Sequence, residues 1–222
     1  MDIPSSRRIK EFRYLIVPSP GNPSFREDEI IFYLDKDNVP YLGAEDRLKA
    51  AVLKAKKAEK VVLIGGSQSG VMSMFIYFKK RMCEFSHNDK PELICLVSKP
   101  DSAGNLSAFK KYFEQQKNGK NKDNINIAII SNEYHLTRLG LIWTSLYPNL
   151  KLKKISTSEA LNGITTENKY KKELKLREEM EKKGCMDWEN ERYKNQQEII
   201  KWNPTFWTCE ELILNFETIK IH

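Results

Sequence analysis

The chain is predicted to fold as an α/β three-layer sandwich built on a mainly parallel sheet of about five strands, with a C-terminal helical extension. Two observations carry that prediction. Short runs such as V-V-L-I at 61–64, L-I-C-L-V at 93–97 and I-A-I-I at 127–130 are continuously apolar rather than alternating, as strands buried on both faces are. Each run leads into a polar or glycine-containing loop and then into a segment of helical periodicity, the order that a parallel sheet with covering helices requires.

Taken in order, the first strand is expected at 14–17 and is stopped by Pro18, Pro20, Gly21 and Pro23, which cannot continue a sheet interior. A long loop follows, with a brief extended piece at 30–34, before Asn38, Pro40 and Gly43 punctuate the chain. Leu48, Ala51, Val52 and Ala55 share one helical face over 44–57, and the second strand is placed at 61–64. The unit repeats: loop 65–70, helix 71–82, strand 93–97, loop 100–105, helix 106–116, polar turn 118–124, strand 125–130, helix 135–146 and a last strand at 150–155. After 155 the pattern becomes helical alone, over 166–183, 188–201 and 208–216, with Gly184 ending the first of these helices. The chain therefore divides into a sheet domain at 1–158 and a helical extension at 159–222. Trp188, Trp202, Phe206 and Trp207 are too much apolar surface to leave in water, so the extension is expected to pack on the sheet domain. Contact with a second copy, a homo-oligomer through these helices, is the alternative.

Composition narrows the class. The 222 residues are 40% hydrophobic, enough for one sizeable core, and no segment nears the roughly 18 apolar residues of a membrane span. A soluble, unprocessed, cytoplasmic protein is expected. Cys83, Cys95, Cys185 and Cys209 are widely spaced, with no C-x-x-C pair and no histidines set beside them as zinc ligands, so no metal site is expected. The net charge of +7 raises the question of nucleic acid, but the lysines are interleaved with acids and carry few aromatic platforms between them. No nucleic-acid partner and no membrane partner are expected. Glu167 with Lys171, Glu178 with Lys182 and Glu179 with Lys183 stand one turn apart, as on a solvated helical face.

Chemistry is expected at the carboxyl ends of the strands, where loops and helix amino-termini expose N–H groups that favour anions. The loop G-G-S-Q-S-G brings Gly65, Gly66 and Ser67, shaped to hold a phosphate or carboxylate with backbone donors or to make a tight turn. It is not a Walker loop, because Val71 and Met72 stand where lysine and a hydroxyl residue are needed. The loop at 100–105 offers Ser102 and Asn105, as ligand contacts or, with Asp101, as helix caps. Ser19 lies in the first loop, and Arg47 comes early in the first helix, where a cation opposes the helix dipole, either to meet a ligand or to form a salt bridge with Glu45 or Asp46. The segment S-N-E-Y-H-L-T-R delivers Ser131, His135 and Arg138 to a helix start. A neutral His135 could act as acid or base or be a hydrogen-bonded structural residue, and Arg138 could hold an anion bidentately.

The combination of R-L-K-A-A from Arg47, V-V-L-I-G-G through Gly65 and Gly66, D-S-A-G-N-L around Ser102 and S-N-E-Y-H-L-T-R around His135 and Arg138 resembles the domain of unknown function shared by the bacterial YdcF, SanA and ElyC proteins. The likeness covers roughly residues 12–155. It implies a Rossmann-like sandwich whose site gathers these same loops. The chain departs from the family pattern in three places: V-P-S-P-G-N-P replaces a glycine-rich first turn, A-G-N-L-S-A follows Ser102, and Leu139 replaces an alanine after the arginine. The expected function is binding of a small anionic or nucleotide-like molecule between Gly65, Ser102 and His135. In a catalytic version His135 works as acid or base on a phosphate or sugar-phosphate group, Arg47 and Arg138 clamp the anion, and the backbone of Gly66 and Ser67 steadies charge. The alternatives are a binding module for an adenosyl compound such as S-adenosylmethionine and an interaction protein using the aromatic tail. No signature identifies a cofactor.

Overall fold

The computed structural model describes residues 10–20, 24–26, 29–31, 43–86, 89–116, 125–163, 171–189 and 205–207. In chain order these form β1 (Phe12–Pro18), β2 (Ser24–Arg26), β3 (Glu29–Ile31), α1 (Ala44–Ala55), β4 (Ala58–Gly65), α2 (Gln68–Arg81), β5 (Glu92–Val97), α3 (Ser102–Gln115), β6 (Ile127–Ser131), α4 (Glu133–Leu146), β7 (Leu152–Ser156), α5 (Thr157–Ala160), α6 (Lys171–Glu189) and β8 (Thr205–Trp207). The main sheet runs β7-β6-β1-β4-β5-β8, and β2 with β3 forms a separate antiparallel pair. β1, β4, β5, β6 and β7 are parallel, with Tyr14 opposite Lys60 on one side and Ile127 on the other. The α/β sandwich with five parallel strands is thus the observed fold.

Successive side chains of a strand point to opposite faces, and β1 shows what that does here. Leu15 and Val17 pack with residues of α1 and α2, while Tyr14 and Ile16 pack with residues of α3 and α4. The second face is rich in aromatics: Tyr14 meets Phe109 and Phe113 edge-on with ring centroids 5.6 and 5.7 Å apart, and Trp143 stacks on Tyr147 at 4.1 Å. Cys95 is fully buried as a small core residue. At the β7 edge, Lys153 and Lys154 are exposed, a composition that discourages further strand pairing.

The helices begin earlier than periodicity alone indicates. Residues 102–105, expected as loop, form the first turn of α3, because the Asp101 carboxylate caps it by accepting from the Gly104 N–H at 2.6 Å. Ser67 does the same for α2, accepting from the Gly70 N–H at 3.1 Å. Gly184 does not end a helix: α6 runs through it to Glu189 and carries Trp188 in its last turn. The tail is not helical alone either, since β8 pairs antiparallel with β5. Of the helix expected at 188–201, Trp188 and Glu189 instead end α6 and the rest lies outside the described residues, as does the helix expected at 208–216. α6 packs on α4, where Trp188 joins the aromatic side of the core and donates its indole N–H to Ser145 Oγ at 3.3 Å. Among the described residues no helix is long and apolar enough to cross a membrane.

Candidate functional site

The chain leaves β1, builds β4 and β5 on one side of it, then returns to place β6 on the other. That reversal opens a crevice at the carboxyl ends of β1 and β6, the position where open α/β sheets receive ligands. Arg47, early in α1, spans it. Its Nε donates to Asn132 Oδ1 at 2.7 Å and Nη2 donates to the same oxygen, while Nη1 reaches the carbonyls of Pro18 and Ser19 at 3.3 and 3.4 Å. Asn132 in turn donates from Nδ2 to the Gly43 carbonyl at 3.2 Å. A guanidinium that is only 4% exposed needs such acceptors, and they explain why a cation is tolerated near a helix amino-terminus. Nearby, Glu45 pairs with Lys49 at 2.8 Å on the outer surface.

His135 lies one turn into α4, 8% exposed, with a serine hydroxyl on each ring nitrogen. Ser102 Oγ stands 2.8 Å from Nε2 and Ser131 Oγ 3.1 Å from Nδ1. With the proton on Nδ1, that N–H donates to Ser131 and Nε2 accepts from Ser102; the other tautomer reverses both roles. Burial, then Arg47 and Arg138, hold the imidazole pKa well below its ordinary value, so His135 is neutral at pH 7.

Arg138 lies on the same side of α4 and is met from outside by α6. Its Nη2 donates to Glu181 Oε1 at 3.0 Å, and its Nε lies 2.9 Å from Oε2 at an angle too poor for a second hydrogen bond. Burial raises the Glu181 pKa, opposed by Arg138, Arg47 and Arg177. Gly184 completes the contact, because a Cβ there would lie 2.7 Å from Arg138 Nη1.

These groups border a cavity of about 300 Å³, near the lower end of the roughly 300–1,000 Å³ of small-molecule sites. Of the residues expected at the site, Ser19, Arg47, Gly66, Ser102, Asn105, His135 and Arg138 lie on its wall. Three do not. Gly65 is buried at the end of β4, where its carbonyl accepts from the Ser98 N–H at 2.8 Å; Ser67 caps α2; and Ser131, fully buried, holds His135 from behind. Gly66 is required by close approach, since a Cβ would lie 2.3 Å from Pro100 Cβ. Asn105 faces the wall while its Oδ1 accepts from Ser98 Oγ.

Sequence reasoning missed Asn132, Tyr134, Arg177 and Glu181. Arg177 and Glu181 sit one turn apart in a segment that reads as a solvated charged face, and only the stripe 177, 181, 184, 188 marks the inward side of α6. Among the described residues no three His, Cys, Asp or Glu side chains gather as a metal-holding group. Scans against protein-family models, curated proteins and solved structures return no match to this chain.

Proposed function

We propose that the chain binds a small anionic, nucleotide-like ligand at the carboxyl edge of the sheet and transfers or hydrolyses a phosphate or sugar-phosphate group. The observation that carries this reading is a single cavity wall that joins Arg47, Arg138 and Arg177 to a buried, neutral His135. Guanidinium groups match phosphate geometry and stay charged at any working pH. A neutral imidazole in hydrogen-bond reach of a hydroxyl can move a proton during reaction. The resemblance to the YdcF, SanA and ElyC domain agrees with this location.

Glu181 favours a second reading. A carboxylate on the same wall would attract the sulfonium of S-adenosylmethionine, making the protein a binding module without turnover.

Thermal melting of the wild type and Arg138→Ala separates the two, each compared with its own ligand-free melting temperature. Inorganic phosphate, nucleotides, sugar phosphates and S-adenosylmethionine are the ligands to test. A phosphate compound at 100 times its dissociation constant is expected to add about 2.7 kcal/mol of stability to the wild type and little to the variant. Stabilisation by S-adenosylmethionine alone would transfer support to the binding module. Absence of any phosphate-dependent shift in the wild type would end the proposal.

A further inference from the structure

We infer that Ser102 is a nucleophile that carries the phosphoryl group as a phosphoserine, with His135 as its base and Ser131 as the residue that positions His135. This rests on the anion-site reading above. The geometry supplies a hydroxyl, a base and an orienting group in line: Ser102 Oγ is 2.8 Å from Nε2, and Ser131 Oγ is 3.1 Å from Nδ1. That is the relation a nucleophile, its base and a third group adopt in covalent catalysis.

The usual reason for a serine at a helix start does not apply to Ser102. Capping of α3 is performed by Asp101, whereas Ser67 in the equivalent loop spends its oxygen on capping α2. Ser98 is likewise accounted for, donating to Asn105 Oδ1. Ser102 instead turns its hydroxyl to the histidine and lies on the cavity wall with Arg47 and Arg138. Those arginines also select the substrate. Burial first, and then these arginines, oppose a positive imidazolium, and a phosphate dianion seated between them offsets the arginine part, so His135 accepts a proton more readily when an anionic substrate is in place.

The steps balance as follows. Ser102 Oγ attacks phosphorus, its proton passes to His135 Nε2, the bond from phosphorus to the leaving oxygen breaks, and that oxygen takes the proton from Nε2. Water then attacks the phosphoserine and gives a proton to Nε2; the P–Oγ bond breaks and Ser102 recovers the proton. The sum is a phosphomonoester plus water giving an alcohol and inorganic phosphate.

The test uses the full chain with p-nitrophenyl phosphate and, separately, acetyl phosphate, quenched in acid and read by intact mass and peptide mapping. The expected result is one phosphoryl group on Ser102 in the wild type, none in Ser102→Ala, and turnover lowered about a thousandfold in that variant. Ser102→Cys, which keeps a nucleophile of similar size, is expected to retain a covalent adduct, so loss in the alanine variant is not read as unfolding. p-Nitrophenyl acetate, with the same leaving group and no negative charge, is expected to leave Ser102 unmodified. No adduct from either phosphate compound, or equal turnover in Ser102→Ala, overturns the nucleophile, and an acetyl adduct without a phosphoryl adduct overturns the phosphoryl assignment. Melting in inorganic phosphate keeps the two readings apart. A wild type stabilised by phosphate but never phosphorylated loses the nucleophile and keeps the anion site, whereas one not stabilised loses both.

Discussion

At the scale of single residues the site is a set of buried and half-buried polar groups, most of them hydrogen-bonded to other protein groups, and their charge states set a pH dependence. His135 has a lowered pKa in the folded chain, so the unfolded chain binds the proton more readily. Its contribution to stability is therefore complete above the ordinary histidine pKa of about 6.5 and is lost as pH falls from there toward the folded value, by up to about 1.4 kcal/mol per pH unit. Glu181 works in the opposite sense: its raised pKa gives stability that is present below the ordinary carboxylate value and lost as pH rises through the folded one. Denaturant titrations of wild type and His135→Gln isolate the first effect. The gap between the two curves is expected to narrow below pH 6.5, and parallel curves would refute a neutral buried imidazole. Asn132→Ala removes the acceptor shared by two Arg47 nitrogens and is expected to cost about 2–3 kcal/mol, read as a lower urea midpoint at unchanged slope. Residue types were legible at this scale, since a histidine and an arginine three positions apart at a strand end stand out in any sequence. The contact of His135 with Ser102 was not, because Ser102 lies 33 positions away and meets it only through the sheet.

At the scale of elements, α6 decides how the site is closed. Its sequence is dominated by charge, and the pairs Glu178 with Lys182 and Glu179 with Lys183 are on exposed positions, as a solvated face requires. The same helix turns Arg177, Glu181, Gly184 and Trp188 inward, and the small residue among them makes room for the Arg138 guanidinium. Gly184 in mid-helix costs about 1 kcal/mol relative to alanine, so its value lies in that approach. Gly184→Ala is expected to leave global stability within about 1 kcal/mol of wild type, helix gain offsetting displaced Arg138. The phosphate-dependent melting shift should nevertheless change, because the guanidinium must move. An unaltered phosphate response would mean that α6 does not set the position of Arg138. Caps show the complementary case. D-S-A-G and S-Q-S-G contain their own helix starts, yet the apolar periodicity begins only after them, which is why the expected helices started late.

At the scale of the whole molecule, stability comes from two apolar layers around a sheet buried on both sides, one with α1 and α2 that mixes aliphatic side chains with Phe75 and Phe78, and one with α3 and α4 in which aromatic rings touch one another. Phe109 touches Tyr14, Phe113, Trp143 and Tyr147, so it joins the sheet to both helices of its layer. Phe109→Ala is expected to lower unfolding free energy by about 3–5 kcal/mol, measured by denaturant melting. A loss under about 1 kcal/mol would show that the aromatic layer is not a cooperative part of the core. The strand order places the crevice between β1 and β6, and the segments that follow four different strands then meet at it: Ser19 after β1, Gly66 after β4, Ser102 after β5 and His135 after β6, with Arg47 of α1 and Arg177 and Glu181 of α6 completing the wall.

The sequence by itself determined the five parallel strands and their alternation with helices, because these depend on local hydrophobic period and on glycine, proline and capping residues within a few positions. Tertiary structure alone decided the strand order, the addition of β8 beside β5, the inward face of α6 and the pairing of Ser102 with His135. Those depend on contacts between residues far apart in the chain, and a side chain that is polar in the sequence becomes part of a site only when packing removes water from around it and leaves other protein groups as its partners.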